Sequence, residues 1–93
     1  MVIIFAIFFT VSAKRCVEYG VNYLGYHLDS VDNVQHWADC ANHCKNHRGC
    51  QYWSWQLGNW QGHRKRCWLK SSNDGRTFEP VTISGKFDCT TEC

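Results

Sequence analysis

The residues with chemistry to offer are first of all the cysteines: Cys16, Cys40, Cys44, Cys50, Cys67, Cys89 and Cys93. Thiols at this density either pair as disulfides in an oxidising compartment or bind a soft metal as thiolates. Read cold, His36, Cys40, His43, Cys44 and His47 form a Cys/His stripe with zinc-like spacing along one helix. The compartment decides between these chemistries, and the first thirteen residues address it. MVIIFAIFFTVSA carries an unbroken run of eight apolar residues from Val2 to Phe9, followed by the small residues of Val11-Ser12-Ala13. That is the pattern of a cleaved signal peptide, residues 1–13, and the run falls short of the roughly 20 apolar residues a membrane-spanning helix needs. In an exported chain the sulfurs are oxidised, and an oxidised sulfur is not a thiolate ligand. The expectation is disulfides, no metal and no cofactor.

A second cluster is basic. His63-Arg64-Lys65-Arg66, with Lys70 just beyond, is the densest charge in the chain, and Trp60 lies nearby between Asn59 and Gln61. Such a loop suits an acidic partner, a sulfated glycosaminoglycan or an anionic membrane surface, while the plainer reading is a solvated loop. A Trp flanked by amides suits stacking on a sugar ring or anchoring an interface, against simple packing over a small core. The formal net charge of +2 is too mild for bulk nucleic-acid binding. There is no nucleophile motif, no recognisable pair of catalytic acids and no phosphate-cradling glycine loop, so the chain does not read as an enzyme.

These groups need a scaffold. Cleavage after Ala13 leaves 80 residues, 14–93, enough for one domain and small enough to need staples. Cys16–Tyr19 reads as a short strand, and Tyr23–Leu28 as a second extended piece with Gly25 as a candidate bulge. Asp32 or Asn33 can cap a helix along which Val34, Trp37, Ala38, Ala41 and Cys44 recur at helical spacing, ending between Asn46 and Gly49. Cys50–Trp55 alternates, with Tyr52 and Ser54 on one face and Trp53 and Trp55 on the other. Cys67–Lys70 is another strand and Val81–Ile83 a final edge strand. Trp53, Trp55 and Trp68 are assigned to the buried face of the sheet or its cover, and Trp37 to the core. One helix among short strands is an α+β arrangement. Cys40 and Cys44 share a helix face and can reach two different strands, and the turn at Gly49 can bring Cys44 to Cys50. Beyond that, six cysteines allow fifteen pairings.

The order Cys16, then Cys40-x3-Cys44-x5-Cys50-x-Tyr-Trp-Ser-Trp, then Cys67-Trp-Leu-Lys, then Ser84-Gly85-Lys86-Phe87-Asp88-Cys89 resembles a PAN/apple domain, over a core of 16–89. The resemblance implies a small disulfide-rich fold, an antiparallel sheet curved around a single helix. It also implies nested bridges, Cys16–Cys89, Cys40–Cys67 and Cys44–Cys50. Cys93 has no place in that pattern. It is left with a partner outside this sequence, a free or capped thiol, an intermolecular bond giving a disulfide-linked homodimer, or a local bond to Cys89. The function implied is that of a secreted, extracellular, non-catalytic recognition or adhesion module for protein or carbohydrate, glycosaminoglycan included. The candidate contacts come from charge density and the setting of Trp60, not from the resemblance: Trp60, His63, Arg64, Lys65, Arg66 and Lys70. The alternatives are a small secreted effector of toxin-like, antihaemostatic or antimicrobial kind, or a structural covalent dimer through Cys93.

Overall fold

The computed structural model describes residues 16–57 and 65–90. The leader, Trp60, His63, Arg64 and Cys93 lie outside the described residues. The elements are β1 (Val17–Tyr23), β2 (His27–Val31), α1 (Trp37–Lys45), β3 (Tyr52–Gln56), β4 (Cys67–Lys70) and β5 (Arg76–Lys86). The strands form one sheet in the order β1-β5-β3-β4-β2, and each neighbouring pair is antiparallel. This is the α+β, disulfide-rich architecture expected.

The alternation of β3 sorts the sheet into two faces. Trp53 and Trp55 stand opposite Leu69 and Cys67 of β4 and opposite Gly85 and Ile83 of β5, so all six belong to one face. Helix α1 covers that face with Trp37, Cys40, Ala41 and Cys44, all buried. The Trp37 and Trp53 rings stack at 5.7 Å between centroids and 4° between planes. Both buried indoles on β3 find acceptors, Trp53 Nε1 donating to Lys86 O at 2.9 Å and Trp55 Nε1 to Val34 O at 2.7 Å. An unmet donor there would carry the full cost of desolvation.

Three bridges fasten this layer: Cys16 to Cys89, Cys40 to Cys67 and Cys44 to Cys50. From their sequence separations of 73, 27 and 6 residues, the chain-entropy relation gives upper values of about 4.4, 3.6 and 2.2 kcal/mol respectively.

Three local expectations are corrected. The helix begins at Trp37, not near Asp32 or Asn33; His36 Nδ1 caps it by accepting the Ala38 N–H at 3.0 Å. Asp32 is occupied by Arg66, and Asn33 has a left-handed backbone (φ 62°), so residues 31–36 run as a non-helical connector from which Val34 still reaches the core. A buried Val at helical spacing misled because the connector and the helix bury the same side. Second, β5 has eleven residues and lies inside the sheet, not at its edge. Pro80, which has no N–H to give a ladder, sits where the β1–β5 register slips from Tyr19↔Ile83 to Val21↔Phe78. Gly20, with φ 75°, stands on the β1 side of that slip, and β2 slips against β4 between His27 and Asp29, so neither irregularity falls at Gly25, which lies in the bend between β1 and β2. Third, Trp68 faces away from the helix, opposite Ser54.

Gly85 is a packing requirement. A Cβ there would come within 2.7 Å of Trp53 Cζ2, inside contact distance of a fully buried ring. Gly85→Ala is expected to destabilise the domain by about 1–3 kcal/mol, the usual range for overpacking. Urea titration followed by near-UV circular dichroism checks this, and an unchanged midpoint would show that the indole can yield.

Candidate functional site

The outer face of α1 and the connector before it enclose a groove of about 500 Å³. Residues 31–35 form one wall, and Asp39, Asn42, His43 and Asn46 the other. The helical positions are spaced three and four apart, which puts them on one stripe. Cys40 and Cys44 hold the other side of the helix down, so this stripe is turned outwards.

The connector is fixed to the start of β4. Val34 N–H donates to Lys65 O at 3.0 Å. Asp32 takes Arg66 in a two-pronged pair, Nε to Oδ1 at 2.5 Å and Nη2 to Oδ2 at 3.2 Å. The Asp32 carboxylate pushes the Arg66 guanidinium pKa up. Lys65 Nζ donates to Gln35 Oε1 at 3.2 Å, and Gln35 Nε2 to Asn33 O at the same distance. By contrast, the side chains of Asn33, Asp39, Asn42 and His43 are exposed and hold no hydrogen bond or ion pair among the described residues. The groove has braced walls and unspent hydrogen-bonding groups.

The second face of the sheet explains where the basic residues go. It carries buried polar side chains: Asn22, Ser54, Gln56, Lys70, Thr82 and Ser84. The outer part of the β1–β5 ribbon bends over them. A chain of hydrogen bonds runs from Tyr23 N–H to Ser54 Oγ (3.1 Å), on to Ser84 Oγ (2.8 Å) and then to Val21 O (2.6 Å). The Glu79 carboxylate accepts from Asn22, Gln56 and Thr82, and Gln56 Oε1 accepts from Trp68 Nε1 at 2.9 Å.

Lys70 belongs to this layer. It is 1% exposed and its Nζ donates to Tyr23 O. The expectation of Lys70 as a surface ligand contact is therefore corrected: strand alternation turns it away from the helix face, and the ribbon covers it. Lys65 and Arg66 do lie beside the groove; Arg66 is paired with Asp32, and Lys65 gives one of its N–H groups to Gln35. Arg66 also lies over the Trp68 ring at 5.1 Å, while His27 stacks on that ring at 4.6 Å. Burial, with Lys70 nearby, lowers the His27 pKa.

The Cys/His stripe is dispersed by function. Cys40 and Cys44 are in bridges, His36 is the helix cap, His43 lines the groove and His47 stands 3.6 Å from Asp29. Sequence reasoning missed Asn33, Asp39 and Asn42. The available signal was the polar stripe of Asp39, Asn42, His43 and Asn46 opposite the cysteine face, which looks like any solvated helix flank until the connector closes over it.

The PAN domain family model matches residues 21–70, a segment that contains α1, both walls of the groove and Cys40, Cys44, Cys50 and Cys67. No curated protein matches the chain.

Burial lowers the Lys70 pKa to about 8, with Glu79 opposing the shift. The unfolded chain then holds this proton at pH values where the folded one releases it, so stability rises with pH between about 8 and the ordinary lysine value. Tyr23, raised by burial and by Glu18, acts in the opposite sense only near the ordinary tyrosine range. The urea midpoint is expected to climb from pH 7.5 to 9.5, with any free thiol blocked, and to stay flat in Lys70→Met. A flat profile in the unmodified protein would place Lys70 in contact with water.

Proposed function

The chain belongs to the PAN domain family, and from that premise we propose that it is a secreted, non-catalytic recognition module that holds its ligand in the groove between the 31–35 connector and α1. PAN domains are protein- and carbohydrate-binding modules. Residues 1–13 serve as the export signal and 14–93 as the mature domain. Three disulfides fit an extracellular setting, where such bonds persist. Among the described residues no helix is long and apolar enough to cross a membrane.

The observation that carries this reading is the contrast between braced walls and unspent side chains. A bridge fixes the helix at each of two successive turns, and the connector is tied by Trp55, Lys65 and Arg66. A ligand entering such a site has little ordering cost to meet. Asp39, Asn42 and His43 are exposed, so changing them removes contacts without removing core.

The test is a screen of the mature domain against arrayed glycans and extracellular proteins, repeated with the double variant Asp39→Ala/Asn42→Ala. Binding is expected to fall at least tenfold while far-UV circular dichroism and melting temperature stay unchanged. A double variant that binds its hits as well as the parent would move the site elsewhere.

A further inference from the structure

The groove's charge and hydrogen-bond inventory narrows its ligand class. Among the described residues, two carboxylates line it, Asp32 and Asp39, and no Lys or Arg does. Asp32 is spent on Arg66 through both of its oxygens. Lys65, the other cation beside the groove, donates to Gln35. Lys70 is withdrawn to the far face of the sheet. What remains facing the groove is one carboxylate, Asp39, with no ion-pair partner among the described residues, together with the free side chains of Asn33, Asn42 and His43 and the Oδ1 of Asn46, whose Nδ2 is held by Asn42 O at 3.0 Å.

Among the described residues, a sulfated chain entering here would meet the unpaired Asp39 carboxylate, with Arg66 already paired to Asp32 and Lys65 held at Gln35 outside the lining. Polyanion binding rests on such cations, so this wall disfavours it. A lysine- or arginine-bearing peptide would find a single unpaired carboxylate, on a chain whose formal net charge is already +2. A hydroxyl-rich, uncharged ligand fits better. Each hydroxyl both donates and accepts; a carboxylate accepts only, and an amide can donate from Nδ2 and accept at Oδ1. Asp39 and Asn42, three apart on one helix face, have Cβ atoms on the order of 5–6 Å apart. That spacing lets the carboxylate accept a hydrogen bond from one ring hydroxyl while the amide donates to its neighbour. The groove's volume of about 500 Å³ is within the range of small-ligand sites.

We propose that this groove selects a neutral saccharide over sulfated polyanions, with Asp39 and Asn42 as the paired contacts for adjacent ring hydroxyls and Asn33 facing them from the connector. The inference rests on the groove being the ligand site.

Amide chemical-shift mapping of the ¹⁵N-labelled mature domain tests it. The probes are methyl glycosides of glucose, galactose, mannose and N-acetylglucosamine at tens of millimolar, a heparin-derived hexasaccharide, and a lysine- and arginine-rich peptide. At least one glycoside is expected to shift the amides of Asn33, Asp39, Asn42 and His43. Asp39→Asn and Asn42→Ala should each weaken that glycoside at least fivefold, and the hexasaccharide should leave those amides unmoved. Heparin or the peptide shifting the groove amides, with every glycoside silent, would overturn the saccharide assignment and leave the groove as the site. A probe that shifts only residues away from the groove would count against the groove itself. Silence from all the probes would also overturn the saccharide assignment.

Discussion

Two cysteines one turn apart hold the rest of this molecule in place. Helix α1 has nine residues, shorter than the roughly 12–15 at which an isolated helix becomes even marginal in water. Cys40 ties its middle to the first residue of β4, and Cys44 ties its end to Cys50, just before β3. The Trp37–Trp53 stack lies between the same two layers. With the inner side of the helix fixed in this way, the outer stripe of Asp39, Asn42, His43 and Asn46 is fixed as well, and it is one wall of the groove. The binding surface is the reverse side of the stapled one.

The sheet's two faces divide the work. The helix face is apolar and dense enough that Gly85 must be a glycine under Trp53. The other face is a buried polar layer in which hydroxyls, amides and the Glu79 carboxylate satisfy one another, apart from the buried Asn22 Oδ1, which has no hydrogen-bond partner. Such layers are costly when partly satisfied and specific when complete. Their consequence for function is indirect. By taking in Lys70, this one removes a cation from the surface, and the Asp32–Arg66 pair neutralises another beside the groove. Of the described basic residues in and just beyond the run that looks most basic in the sequence, Lys70 is buried, while Arg66 and Lys65 are held at the surface by Asp32 and Gln35.

Much of the fold could be read from the residues. The alternation from Tyr52 to Trp55 located β3 and sorted its faces, Cys67–Lys70 matched β4 residue for residue, and the helix was found with its buried side correct. The misses share a cause, which is that burial from a distant segment leaves no local trace. Val34 mimicked a helical core position from the connector. Val81–Ile83 read as a short edge strand, because the slip in register that lets β5 run through Pro80 involves a partner some 60 residues away. Lys70 read as exposed because nothing near it announces the β1–β5 ribbon that covers it. The groove was invisible for the same reason: its polar helix stripe is ordinary until the connector, pinned by Trp55, Lys65 and Arg66, stands against it. The resemblance to the PAN/apple family supplied the architecture that residue patterns alone left open among many cysteine pairings.

The central claim is that the bridges through Cys40 and Cys44, more than helix propensity, keep α1 and hence the groove in place. Native-state amide hydrogen exchange on the mature domain and on Cys40→Ala/Cys67→Ala tests it directly. The account predicts that Trp37–Lys45 loses most of its protection when that bridge is removed, while β3 and β5 retain theirs. Equal protection of α1 in both proteins would mean that packing alone holds the helix, and would contradict the account.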